Sequence, residues 1–164
     1  MDQDNSMESA KAAVLQAALA HVPFDGWSEA TLKAAIADSG VAPGLALALF
    51  PRGAVDLALA YHRSGDVAMT DRLAATDLTT LRYRDRIATA IRFRLEACED
   101  KELVRRGTTL FALPQNAGDG VRAIWGTADA IWTALGDTSE DFNWYSKRAP
   151  LSAVYSATVL SWLG

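Results

Sequence analysis

Val121-Arg122-Ala123-Ile124-Trp125-Gly126-Thr127-Ala128-Asp129-Ala130-Ile131-Trp132-Thr133-Ala134-Leu135 is the stretch whose reading decides the fold class. Val121, Ile124, Trp125, Ala128, Ile131, Trp132 and Leu135 recur at steps of three and four, the period of one broad helix face. The same period, in shorter runs, links Leu15, Leu19 and Val22, then Leu32, Ala35 and Ile36, then Ile87, Ile91 and Leu95. No segment alternates apolar and polar residues as a half-buried strand requires. The sequence predicts an all-α protein.

Punctuation divides the chain into helices. The first is expected from Ser6 to Val22, with Asn5 and Glu8 as a cap pair, stopped by Pro23-Phe24-Asp25-Gly26. A short helix after Ser28 ends at Gly40, and Pro43 opens a third that stops before Pro51. Gly53 to Thr76 reads as a longer helix broken near Gly65, followed by Thr80 to Cys98 and by Asp100 to Leu113 before Pro114. The last helix runs from Asp141 to Leu163, with a kink expected at Pro150.

The chain has 164 residues, half of them hydrophobic, with a formal charge of -4. That length supports one domain with a proper core. The acidic balance gives no overall footprint for nucleic acid. One cysteine, Cys98, allows no internal disulfide and points to a reducing compartment. His21 and His62 stand in no metal-binding spacing, so no metal is expected. Met1-Asp2-Gln3-Asp4-Asn5 resembles neither a secretory signal nor a transit peptide, and no run approaches the length of a membrane span. The location expected from these features is the bacterial cytoplasm.

Three regions invite a functional reading. In Gly136-Asp137-Thr138-Ser139-Glu140-Asp141-Phe142-Asn143-Trp144-Tyr145-Ser146-Lys147-Arg148, three aromatic rings stand among acids and cations. Trp144 and Arg148 are one helical turn apart, and aromatic residues beside arginine build partner-binding surfaces. The plainer alternative is a helix start capped by Ser139 whose rings enter the core. The second region holds Arg82, Arg84, Arg86, Arg92, Arg94, Lys101, Arg105 and Arg106 interleaved with five acids. It reads as a solvated face or as a contact for acidic lipid headgroups or an acidic partner. The third is the set of large apolar side chains that includes Phe93, Leu113, Trp125 and Trp132, which forms either a core or a pocket between helices.

The first sixty residues, with the turn Asp38-Ser39-Gly40-Val41 and the helix Pro43 to Phe50, resemble the helix-turn-helix domain of TetR-family repressors. The helix that would read DNA, Pro43-Gly44-Leu45-Ala46-Leu47-Ala48-Leu49-Phe50, has no side chain able to bond a base edge or a phosphate. The fold is expected to be kept and DNA binding to be lost.

Together with that front half, Leu113-Pro114-Gln115-Asn116 and Gly136 to Tyr145 resemble the lipid-binding accessory proteins of coenzyme Q (ubiquinone) biosynthesis, the Coq nine family. The match runs from about Val14 to Leu163. Asp141-Phe142-Asn143-Trp144-Tyr145, with Arg148 and Tyr155 downstream, is its most specific part. The resemblance implies a TetR-like homodimer without catalytic residues, cofactor or metal. It also implies a hydrophobic pocket for an isoprenoid quinone precursor or a phospholipid. Such a protein would extract an apolar quinone precursor from the membrane and present it to the di-iron demethoxyubiquinone hydroxylase. Phe93, Leu113, Trp125 and Trp132 are then expected to line the lipid pocket. Asp129, Ile131, Asp141, Trp144 and Tyr145 match the family's partner-binding surface, with Trp132 at the lipid access and Ile131 in place of a frequent methionine. Residues 1–52 would form the degenerate helix-turn-helix region and 53–164 the helical lipid-binding region of one compact chain. Family members continue into an amphipathic helix that lies on the membrane. This sequence stops at Trp162-Leu163-Gly164, without that helix, so the resemblance leaves peripheral contact with the inner face of the membrane open while the fold and pocket are still expected. The competing function is a TetR-type transcriptional regulator with a small-molecule pocket.

Overall fold

The computed structural model describes residues 1–137 and 141–164, with the backbone alone at Asp141 and Phe142. The described residues form α-helices, one 3-10 turn and connecting loops, with no strand among them. The all-α expectation therefore holds. In chain order the helices are α1 (Asp2–Ala18), α2 (Val22–Asp25), α3 (Glu29–Ser39), α4 (Pro43–Leu49), α5 (Ala54–Ala74), α6 (Tyr83–Glu96), α7 (Lys101–Ala112), α8 (Ala117–Ala134) and α9 (Asp141–Leu163). The 3-10 turn, Pro114–Asn116, lies between α7 and α8.

Local chemistry explains most of these bounds. The Ser28 hydroxyl accepts from the Thr31 N–H at 3.2 Å and opens α3, which closes on Gly40 at φ 72°. Asp100 caps α7 by accepting from the Glu102 N–H at 2.9 Å. Pro43 occupies the first turn of α4, where its missing N–H costs nothing. The single helix expected over Ser6 to Val22 is instead α1 followed by the short α2, because Pro23 cannot donate into a continuing helix but suits a first turn. Before α6, Asp77 accepts from the Thr79 N–H and hydroxyl, which holds its carboxyl below the ordinary value and delays the helix to Tyr83. Helix α9 runs through Pro150, leaving the Ser146 carbonyl without its intrahelical donor.

The chain folds as two compact units that divide it elsewhere than at residue 52. The first comprises Met1–Tyr61 and Asp100–Asn116, the second His62–Glu99 and Ala117–Gly164. Helix α5 passes from one to the other between Tyr61 and His62.

In the first unit, Val14, Ala18, Val22, Trp27, Leu32, Ala35, Phe50, Leu57 and Leu103 make the core. The Trp27 indole N–H reaches the Leu103 carbonyl at 3.0 Å, which satisfies its one polar atom inside. In the second unit, α5, α6, α8 and α9 contribute Met69, Leu73, Ala90, Ile91, Phe93, Ala128, Ile131, Leu151 and Tyr155. The stripe that announced α8 is buried only in part. Ala128 and Ile131 are in the core, Ile124, Trp132 and Leu135 pack against it, and Val121 remains 69% exposed.

Candidate functional site

Two arginine-centred polar clusters sit within the second unit. The first surrounds Arg94, of which 3% is exposed. Its Nε donates to Asp66 Oδ1 at 2.7 Å, and its Nη2 donates to the His62 carbonyl at 2.8 Å and faces His62 Nδ1 at 3.4 Å. His62 Nε2 lies 3.0 Å from the Ala123 carbonyl and 2.8 Å from Thr127 Oγ1, and Thr127 Oγ1 donates to Asp66 Oδ1 at 2.7 Å. A carbonyl only accepts, so the Nε2 atom carries the proton and Nδ1 is left to accept from Arg94. The result is a closed ring in which each donor meets an acceptor. Burial, then the Arg94 guanidinium, hold His62 below its ordinary value. Burial opposes the Arg94 charge, but Tyr155 and Asp66 outweigh it and Arg94 stays well protonated. Burial likewise pushes the Tyr155 phenol up to about 12, with Arg94 pulling the other way.

Gly65 explains why α5 is unbroken where a break was expected. Glycine in a helix costs about 1 kcal/mol relative to alanine. A β-carbon there would overlap the Arg94 guanidinium. The glycine is a slot for that side chain, and the tertiary contact outweighs the local penalty.

The second cluster is built at the end of α8. Gly136, at φ 86°, ends the helix, with its N–H on the Thr133 carbonyl and the Asp137 N–H on the Trp132 carbonyl, both at 3.0 Å. This paired closure of a helix terminus turns Asp137 inward, where its side chain is 3% exposed. Arg148, from the first half of α9, is 2% exposed and is the largest fully buried side chain described. Its Nε donates to Asp129 Oδ1 at 2.7 Å, and its Nη1 donates to Asp137 Oδ2 at 3.1 Å and to the Trp144 carbonyl at 3.3 Å. The guanidinium carbon also lies 4.4 Å from the centre of the Trp144 ring. Lys147 adds a 2.6 Å bond to Asp137 Oδ1. Two cations therefore balance two carboxylates in a largely buried setting, as burial of charge demands.

An aromatic cluster lies beside this one. Trp125 meets Trp144 at 5.5 Å between centroids and Tyr145 at 5.9 Å, while Trp144 and Tyr145 meet edge to face at 4.9 Å. These separations leave no gap for a cation between the rings, and the cation on Trp144 is the protein's own Arg148. Tyr145 is 60% exposed, whereas Trp144 is half-buried.

The residues singled out in the sequence are thus placed as follows. Asp129, with its side chain 44% exposed, joins Trp144 through Arg148, and Trp144 in turn packs against Trp125 and Tyr145. Ile131 is fully buried in the second core and presents nothing to solvent. The Asp141 side chain and the expected cap Ser139 lie outside the described residues. Trp132 packs on the core, donates its indole N–H to the Lys147 carbonyl at 3.0 Å, and stacks on Tyr83 at 5.6 Å. Phe93 is a core residue whose ring carries the Arg72 guanidinium 3.8 Å from its centre. Leu113 belongs to the first unit and is 43% exposed. An open groove of about 350 Å³ in the second unit is lined by Thr70, Ala74, Asp129, Ala130, Thr133 and Ala134, so Asp129 also forms part of its wall.

Sequence reasoning did not find the burial of Arg148, the inward turn of Asp137, or the ring of His62, Asp66, Arg94 and Thr127. Gly65 in mid-helix and the one-turn spacing of Trp144 and Arg148 were the local signals that pointed toward them.

Comparison with known proteins shows what the chain is similar to. Residues 117–164 match the family model described as COQ9. The chain is 32% identical over 165 residues to the ubiquinone biosynthesis protein coq9, mitochondrial, of Schizosaccharomyces pombe, covering 96% of this chain and 63% of that protein. It is 29% identical over 169 residues to the mitochondrial COQ9 of Homo sapiens, with 94% and 51% covered. For that of Drosophila melanogaster the values are 28% over 162 residues, with 96% and 49% covered. The chain thus spans between 49% and 63% of the length of these relatives. All three are eukaryotic proteins named as mitochondrial, which overturns the expected bacterial cytoplasmic location. A low cysteine count reports a reducing environment, and the cytoplasm is one such environment among several. The COQ9 match falls on the unit that holds both arginine clusters. The chain is similar to the COQ9 ubiquinone biosynthesis proteins, and residues 117–164 are the part that matches the COQ9 family model.

Proposed function

We propose that this protein acts in mitochondrial ubiquinone biosynthesis as a non-catalytic, lipid-binding accessory protein. In this reading it presents an apolar quinone precursor to the di-iron demethoxyubiquinone hydroxylase and works as a homodimer. The observation that carries the reading is the outward-facing ring of Tyr145, 60% exposed, next to Trp144 within the part that matches the COQ9 family model. Trp144 has its cation supplied internally by Arg148, so the free aromatic area is available to another molecule. Large exposed aromatic residues with a polar handle are what dominate partner contacts. The apolar side chains of Val121, Val154 and Leu160, more than half exposed in the same unit, fit a protein that handles an apolar ligand.

A non-catalytic role is supported by His62, whose two ring nitrogens are both engaged in the buried ring and so are not poised for proton transfer. The competing reading, a TetR-type regulator, finds less support. Helix α4 turns Leu45 and Leu47 to solvent and carries no cation to neutralise phosphate.

Tyr145→Ala is expected to weaken binding of the hydroxylase by about 2 kcal/mol or more. Its unfolding free energy should change by no more than about 0.5 kcal/mol, as for other surface substitutions. Isothermal titration with purified hydroxylase and urea unfolding measure the two quantities. Unchanged affinity, together with purified protein free of isoprenoid lipid by mass spectrometry, would sink the proposal.

A further inference from the structure

We infer that Arg148 is the positioning residue of the aromatic face, holding Trp144 and the Asp129 carboxylate in one fixed arrangement. The inference rests on the reading of that face as a partner surface. Three features of the guanidinium are used at once. Its Nε edge binds Asp129 at 2.7 Å, its Nη1 binds both Asp137 at 3.1 Å and the Trp144 carbonyl at 3.3 Å, and its central carbon lies 4.4 Å from the indole centre. A planar fork can do all of this, whereas an ammonium is a point charge that cannot satisfy separated acceptors and a ring together.

The distribution of exposure separates this role from simple core support. Asp137, 3% exposed, already has Lys147 as a second partner at 2.6 Å. The other two groups that Arg148 holds, the Asp129 carboxylate and the Trp144 ring, reach the surface. Trp144 then fixes its neighbours, with Trp125 at 5.5 Å and Tyr145 at 4.9 Å. One buried cation thereby sets the geometry of a surface patch before any partner arrives, which lowers the ordering cost of binding.

The test is fluorine NMR of the protein labelled with 5-fluorotryptophan, in which the five tryptophans report separately. Arg148→Gln and Arg148→Lys should move the Trp144 and Trp125 signals and leave that of Trp27, in the first unit, in place. Arg148→Gln should also weaken hydroxylase binding by about tenfold or more, with Arg148→Lys between it and the unchanged protein. Leu73→Ala, a cavity in the same core, controls for a comparable loss of melting temperature. An unmoved Trp144 signal in folded Arg148→Gln overturns the inference, as does an equal shift and affinity loss in Leu73→Ala. If Arg148→Gln does not fold, Asp129→Asn decides, because it keeps the buried pair with Asp137. Its Trp144 signal must move, and an unmoved signal overturns the inference. Tyr145→Ala binding the hydroxylase normally would remove the partner-surface reading alone, since the fluorine signals still judge Arg148.

Discussion

Arg94 and Arg148 are both buried arginines of the second unit, and both are paired with aspartate, yet their surroundings differ. Arg94 bonds Asp66 and His62 inside the ring that Thr127 closes, with their side chains 14% and 18% exposed, and its Nη1 reaches Cys98 Sγ at 3.6 Å. Arg148 binds one carboxylate that is buried and another that is 44% exposed, and covers a ring that reaches solvent. A buried charge costs several kcal/mol in desolvation unless its partners are complete. Completing them wholly inside, as around Arg94, ties α5, α6 and α8 together. Completing them partly at the surface, as around Arg148, organises what another molecule would meet. The same residue type serves the fold in one place and a surface in the other.

The largest effect that would break this contrast is expected from Arg94→Met. It takes the guanidinium from Asp66, leaving the Thr127 hydroxyl and His62 Nε2 at 3.8 Å, and removes the donor to His62, so destabilisation of about 3–5 kcal/mol in urea unfolding follows. A loss below about 1 kcal/mol would show that the closed ring contributes little beyond what apolar packing replaces. Gly65→Ala comes next. The added methyl group displaces the guanidinium, at a cost of about 1–3 kcal/mol, even though alanine is the better helix former. Stabilisation by this substitution would mean that Gly65 is not a slot.

The smallest effect expected is a pH dependence confined to the first cluster. His62 is held below its ordinary value of 6.5, so as pH falls the unfolded chain takes up this proton before the folded one. The stability associated with neutral His62 is intact above about 6.5 and is lost as pH drops from there toward the folded-state value. Unfolding followed between pH 7.5 and 5.5 should show that decline, and His62→Gln should flatten it. A decline that survives His62→Gln would assign the titration elsewhere.

The sequence was most legible where the physics is local. The start of α3 after Ser28, Pro43 in a first turn and Gly40 at a helix end depend on a few residues, and each lies where reading the chain put it, whereas the cap pair expected at Asn5 and Glu8 lies inside α1. The stripe Ile124, Ala128, Ile131 and Leu135 likewise showed which side of α8 turns inward. Limits appeared where one pattern serves two purposes. Phe93, Trp125 and Trp132 are all large and apolar, so their spacing could not separate a core ring from a half-buried one bonded to a backbone carbonyl. Composition failed for a similar reason at the level of location, because Cys98 alone carries no address.

What the sequence determined by itself was the helical class and most helix boundaries, since each depends on neighbours within one or two turns. Only the tertiary structure decided which charges are buried. His62 and Thr127 are far apart along the chain, as are Asp129 and Arg148, and nothing in the identity of an arginine says whether two carboxylates will meet it or water will. That choice follows from how helices pack, because an ion pair gains strength only where the fold excludes the solvent that would otherwise screen it.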